Sequence, residues 1–269
     1  MREVKKGAKG RQSGKRRGKR RRSPFLGIFI FILLAAAGAF VSVMIFFRVQ
    51  NIEVRGTSKY SSRQIIEASG VADGRNLLSV NAEKTSSALC EKLPYIKSAD
   101  IALRPLSTVI ITVTKDTPCG ALVSGDSYLL VDSQLKLLEI RQGAGKVKGL
   151  PLIRGFTAKS PVPGKKIVGG NQNTTDILVD IYGAFKDNKI DPAKVTEINV
   201  ADSYELQLRY DNRINIVLGT GSYLSYKLKA AMYIINTQLA KTAKGKLDVS
   251  SEAPNASDKP KIFFDPDNS

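Results

Sequence analysis

The sequence predicts an α+β protein carried on one N-terminal transmembrane helix, and three features predict it. A dense run of cations is followed by an apolar stretch from Phe25 to Phe47. Residues 48–118 read as strand, helix, helix, strand, strand. From residue 119 onward the chain becomes a series of short strand-like runs interrupted by two amphipathic helices.

Residues 1–24 form a basic tail. Twelve of the 42 Lys and Arg residues and a single Glu lie in residues 1–22, so +11 of the net charge of +18 belongs to this segment. No aromatic residue interleaves these cations before Phe25. A nucleic-acid partner is therefore not expected, because stacking platforms and base-reading side chains are missing from the only strongly basic region.

Residues 25–47 contain no charge and would span about 34 Å as a helix rising about 1.5 Å per residue, enough to cross a bilayer. Fifteen of these residues are Leu, Ile, Phe or Val, which together favour insertion by on the order of 6 kcal/mol. A cleaved signal peptide is the competing reading, since Ala35, Ala36, Ala37, Gly38 and Ala39 resemble a cleavage site. The apolar run continues through Phe40 to Phe47, which favours a retained anchor. Lys15, Arg16, Arg17, Lys19, Arg20, Arg21 and Arg22 precede the span and only Arg48 follows it directly. The excess of cations before the span predicts a cytoplasmic N-terminus and an outer C-terminal region. These seven cations are also candidates for contact with anionic lipid, at about 1 kcal/mol each.

In residues 48–118, Val49 to Val54 alternate apolar and polar side chains up to Gly56, the pattern of a half-buried strand. Ser61 or Ser62 can cap a helix carrying Ile65, Ile66 and Ala68 that ends near Gly70. Asn81 can cap a second, carrying Ala88, Leu89 and Leu93 before Pro94. Strands are expected at Ile96–Arg104 and Thr108–Thr114, separated by the turn residues Pro105, Leu106 and Ser107. Two helices over one face of three strands make a complete two-layer core.

In residues 119–250, strands are expected at Tyr128–Val131, Leu135–Ile140, Val195–Val200, Glu205–Tyr210 and Asn215–Leu218. The helices Thr175–Lys186 and Tyr223–Leu239 place Ile177, Ile181 and Phe185, and Leu224, Leu228, Ala231 and Ile235, on single stripes suited to a core. Residues 251–269 form a polar segment with a final strand and tail.

Chemistry is sparse. The chain has no histidine, which excludes Ser-His-Asp and Cys-His catalysis and histidine-ligated zinc. Cys90 and Cys119 are too few for a disulfide framework and too far apart in sequence for a metal knuckle, and their redox state is left open. The Gly143 and Gly169 loops lack the Lys-Ser/Thr completion of a phosphate loop. Asp187, Asp191, Asp202 and Asp211 fall in turns that account for them. Gly221-Ser222-Tyr223-Leu224 lacks the lysine of a Ser-x-x-Lys hydrolase. No catalytic, cofactor-binding or metal site is expected, and the protein reads as a binder rather than an enzyme.

A binding surface is expected at the last strand. Lys261, Ile262, Phe263 and Phe264 form a short apolar run stopped by Asp265-Pro266, suited to an unpaired edge that a partner segment could extend. The alternative for either phenylalanine is that it completes the domain core.

The segments Asn51-Ile52-Glu53-Val54-Arg55-Gly56, Gly74-Arg75-Asn76-Leu77-Leu78, Leu93-Pro94-Tyr95-Ile96, Arg104-Pro105 and Val109 to Val113 resemble a POTRA domain of the FtsQ/DivIB cell-division family. Leu130-Val131-Asp132, Gly149 to Gly155, Val217-Leu218-Gly219, Lys227-Leu228 and Leu247-Asp248 resemble successive landmarks of that family's β domain. The likeness covers roughly residues 25–265. It departs from the family at Lys115-Asp116-Thr117-Pro118, where a Glu-Arg pair is frequent, at Ser133-Gln134-Leu135, where a glycine is common, and at Asp248-Val249-Ser250. The resemblance implies a non-catalytic, single-pass type II divisome scaffold in the cell membrane at the septum. It further implies FtsB/DivIC-like and FtsL-like partners received along the C-terminal part of the β domain. The alternative is a POTRA-containing extracytoplasmic transport or secretion accessory, against whose outer-membrane version the absence of a C-terminal barrel pattern counts.

Overall fold

The computed structural model describes residues 24–104, 107–143, 147–251 and 262–267. Helix α1 covers Pro24–Phe46. Its large apolar side chains, including Phe25, Phe29, Phe31, Leu34, Phe40 and Phe46, are exposed around the whole circumference. A helix that is apolar on every side and packs nothing against itself has the composition of a membrane span. Residues 47–269 form a separate compact unit.

That unit opens with the expected strand-helix-helix-strand-strand module. Strand β1 (Asn51–Gly56) is followed by α2 (Ser62–Ser69), a 3-10 turn at Leu77–Ser79, α3 (Ala82–Lys92), β2 (Ile96–Arg104) and β3 (Thr108–Lys115). The α2 start is a reciprocal capping box, in which Ser61 accepts from Gln64 N–H while the Gln64 side chain accepts from Ser61 N–H. Asn81 caps α3 through the N–H of Lys84. The strand order is β1-β3-β2, with β1 parallel and β2 antiparallel to the central β3. Ile65, Leu77, Leu89, Ile96, Val109, Ile111 and Val113 close one core between helices and sheet. Phe47 and Val49 join that core, so the first residues after α1 already belong to this module.

The second module is built on a nine-stranded sheet ordered β14-β13-β12-β11-β10-β7-β4-β5-β6. Its strands are β4 (Gly120–Ser124), β5 (Ser127–Val131), β6 (Leu137–Gln142), β7 (Leu152–Arg154), β10 (Val195–Asn199), β11 (Leu206–Tyr210), β12 (Ile214–Gly219), β13 (Gly245–Asp248) and β14 (Phe263–Pro266). The short pair β8 (Ala158–Lys159) and β9 (Val168–Gly169) stands apart. Helices α4 (Gln172–Asp187) and α5 (Leu224–Thr237) pack together, and the expected stripes from Ile177 to Phe185 and from Leu224 to Ile235 lie in the main core.

Several details depart from the sequence expectation. Strand β6 begins at Leu137, not Leu135, because the preceding turn wraps around the Asp132 carboxylate, which accepts from the N–H groups of Gln134 and Lys136 at 2.8 Å each. Leu135 occupies that turn at φ 61° and is fully buried. Burial gain offsets a left-handed conformation that costs about 1–2 kcal/mol. Strands β4, β7 and β13 were not expected from the sequence, and β7, with three residues, is too short to show a period of its own. Cys90 and Cys119 are free, partly exposed thiols, each pushed up chiefly by burial.

The modules meet through polar contacts. Lys136 Nζ donates to Ile96 O at 2.6 Å and stands 3.5 Å from the buried Asp116 carboxylate. Burial, and then the adjacent Asp116, push the Asp132 carboxyl above its ordinary range, while its turn N–H bonds oppose the shift. Tyr95 donates to Glu139 at 2.5 Å, and Lys59 lies 3.8 Å over the Tyr95 ring.

Candidate functional site

The candidate surface is the end of the large sheet formed by β12, β13 and β14. Strand β13 runs parallel to β12, pairing Gly245 with Ile214 and Leu247 with Ile216. Strand β14 returns antiparallel to β13, with Phe264 opposite Leu247 and Phe263 opposite Asp248. No further strand pairs with β14 among the described residues.

Alternation along β14 separates its two phenylalanines. Phe264 and Ile262 are partly buried and pack against the main core, whereas Phe263 is 65% exposed on the opposite face. The two readings of these residues are thus divided between neighbouring positions. Lys261 lies outside the described residues, as do the tail cations Lys15, Arg16, Arg17, Lys19, Arg20, Arg21 and Arg22.

The backbone of β14 offers an edge. Asp267 N–H donates to Lys244 O at 3.0 Å, continuing the same antiparallel register. Hydrogen-bonded pairs alternate in such a ladder, so Asp265 and Phe263 direct their backbone groups to β13 and Phe264 directs its own outward. Pro266 ends the outward row because it has no N–H to contribute. Lys246 stands across from Asp265, and Asn215 and Arg209 continue that row onto β12 and β11. An arriving segment would meet backbone donors and acceptors, one bare aromatic ring and a charged sheet face.

Gly245 makes this edge possible. A β-carbon there would collide with Asp265 O, and would stand 2.9 Å from Pro266 Cα and 3.0 Å from Phe264 Cζ. Sequence reading singled out Leu247-Asp248 but missed Gly245 and the strand it opens. The signal was present as a period of two: Gly245, Leu247 and Val249 are buried while Lys246 is exposed.

Among the described residues, no group of three or more Cys, Asp or Glu side chains converges as metal ligands would.

Comparison with known proteins places the two modules. Residues 47–115 match the FtsQ-type POTRA domain, and residues 121–250 match the family described as cell division protein FtsQ/DivIB, C-terminal. The chain belongs to the FtsQ/DivIB family. Its relatives include the cell division protein DivIB of Clostridium acetobutylicum, 29% identical over 207 residues, which cover 76% of this chain and 80% of the relative. The cell division protein FtsQ of Corynebacterium glutamicum is 23% identical over 195 residues, 71% of this chain and 80% of that protein. The FtsQ of Streptomyces coelicolor is 30% identical over 128 residues, 45% of this chain and 48% of its own length. Membership in the FtsQ/DivIB family gives the chain a role in cell division, within a family that is generally non-enzymatic. The match to its C-terminal domain ends at residue 250, so β14 lies beyond the matched region.

Proposed function

We propose that this FtsQ/DivIB protein is a non-catalytic scaffold of the division septum. In this reading the tail is cytoplasmic, α1 is a permanent anchor, and the modules outside the membrane recruit and link membrane partners during septal wall synthesis. The partners are FtsB/DivIC-like and FtsL-like proteins, and the docking element is the β14 edge with Lys261, Ile262, Phe263 and Phe264. The observation that carries the reading is the β14 edge, unpaired among the described residues, with Phe263 exposed upon it. Strand addition there would take affinity from backbone hydrogen bonds and selectivity from the aromatic ring. Seven cations close before α1, against Arg48 two residues after it, support the orientation.

Phe263 and Phe264 separate docking from folding. Phe263→Ala should weaken binding of a reconstituted FtsB/DivIC-like and FtsL-like pair by about tenfold or more, as loss of an aromatic anchor does. Its own stability should change by only about 0.5 kcal/mol, because the ring is already exposed. Phe264→Ala should instead destabilise the fold by about 1–3 kcal/mol, a partly buried version of a core truncation. Unaltered partner affinity in the folded Phe263→Ala protein would remove this residue from the interface. Imaging a fluorescent fusion in dividing cells tests the septal assignment, and distribution with secretion machinery would favour the accessory reading.

A further inference from the structure

The chain immediately after α1 is stitched to a loop of the POTRA module. Leu77 N–H donates to Phe47 O at 2.7 Å, Val49 N–H to Arg75 O at 2.8 Å and Gly74 N–H to Val49 O at 2.8 Å. Arg48 pairs with Asn76 in the same bridge. Two adjacent leucines in this loop part company: Leu77 is 2% exposed in the POTRA core, and Leu78 is 62% exposed. Burial of one anchors the tip that presents the other.

Beside the tip is a polar pocket of about 340 Å³ lined by Arg75, Ser79, Asn81, Lys84 and Thr85 among others. Helix α3 begins at its wall, contributing the partial positive charge of an N-terminus. Thr85 is only 8% exposed, yet its hydroxyl, at the pocket wall, makes no hydrogen bond among the described residues. That hydroxyl is open to the pocket, where it can donate to a ligand oxygen. Arg75 donates to Gly70 O at 3.2 Å, which holds its guanidinium at the rim. Asp73 and Glu83 are close in sequence, but neither lines the pocket.

We propose that the loop 74–79 and its pocket form a phospholipid contact. Leu78 enters the acyl boundary of the leaflet from which the chain emerges, and a headgroup phosphate is held by Arg75, Lys84 and the Thr85 hydroxyl. Covalent continuity selects this occupant. The loop is bonded to Phe47, the residue directly after α1, and a chain advances only about 3.8 Å per residue. The polar layer of each leaflet is on the order of 5–8 Å deep, so lipid headgroups are the most concentrated anions within the loop's tethered reach. An apolar tip beside a cation-lined pocket also matches both halves of a phospholipid, where a soluble polyanion would use only the pocket. The inference rests on α1 as the anchor and is independent of the β14 interface.

The chain contains no tryptophan, so Leu78→Trp creates a single indole reporter. The full-length variant would be reconstituted into phosphatidylcholine vesicles with and without phosphatidylglycerol, carrying acyl chains brominated near the headgroup. An alkaline wash confirms retained insertion before fluorescence is read. Trp at position 78 should emit to the blue and be quenched, more so with phosphatidylglycerol, whereas a full-length Tyr204→Trp reporter on the β module should not be quenched. Adding Arg75→Glu and Lys84→Glu should reduce partitioning of the loop about fivefold per cation, and Arg75→Lys with Lys84→Arg should retain it. A solvent-like, unquenched indole in inserted protein would overturn the proposal. So would a response to soluble polyphosphate in detergent without quenching in vesicles, which would give the pocket to a soluble polyanion.

Discussion

At Gly245 a single β-carbon would meet the backbone of both Asp265 and Pro266, and no side-chain rotation relieves a collision with backbone. Gly245→Ala should therefore displace β14 while leaving β12 paired with β11. The expected cost is about 1–3 kcal/mol, the usual range for overpacking, and the expected signature is faster amide exchange in Phe263 and Asp265 than in β12. Unchanged exchange in β14 would show that the strands separate without penalty. Gly245 was not legible beforehand because its backbone demand is set by β14, a segment that arrives from elsewhere in the chain, whereas Ser61 and Asn81, whose cap partners lie three residues away, were legible.

The helices and most strands were recovered from sequence, including the five-residue β5, β10 and β11, whereas β4, β7 and β13 were not. Helices α4 and α5 announced their buried stripes, and β2 and β3 showed theirs through Ile96–Arg104 and Val109, Ile111 and Val113. Strand β7, with three residues, cannot display an alternation, although it is the link between β10 and β4 in the sheet. Helix α5 also carries a charge in an unusual place. Lys227 is 1% exposed, and its ammonium donates to Leu218 O at 2.8 Å and Thr220 O at 3.1 Å, holding the end of β12. Sequence reading took Lys227-Leu228 as a landmark without assigning the lysine a task. Lys227→Met keeps the aliphatic stem but leaves these carbonyls unsatisfied, so it should destabilise the protein by about 2–3 kcal/mol in denaturant titrations. A variant as stable as the parent would mean that water or a neighbouring group replaces the ammonium.

On the scale of residues 47–269 as a whole, the POTRA and β modules are joined by ion pairs and backbone approach more than by a shared apolar core. Gly164 of the β module lies against the Glu91 backbone of α3, where any β-carbon would collide. Glu139 sits at the same seam, held down to about 2 first by Arg141, then by the Tyr95 hydroxyl. Because its folded value lies below the ordinary 4.5, its stabilising contribution is complete above pH 4.5 and disappears as the pH falls through about 2. Glu139→Gln should therefore reduce stability at neutral pH, and the difference from the parent should close between pH 4.5 and pH 2 in a denaturant series. A gap independent of pH would assign the loss to shape instead of charge. Tyr95, pushed up to about 12 by burial and then by Glu139, contributes stability that is lost above its ordinary value of 10.

The sequence by itself determined the apolar span, the strand-helix-helix-strand-strand module, the two core helices of the β module and the absence of histidine chemistry. Each is written in local composition or in a period repeated over enough residues to be read. Tertiary structure alone decided that β14 closes the row beyond β13, that Phe264 faces the core while Phe263 faces out, and that the loop carrying Leu78 is bonded to Phe47. Those outcomes depend on pairings between segments distant in sequence, and the face a strand residue occupies reverses with a register shift of one.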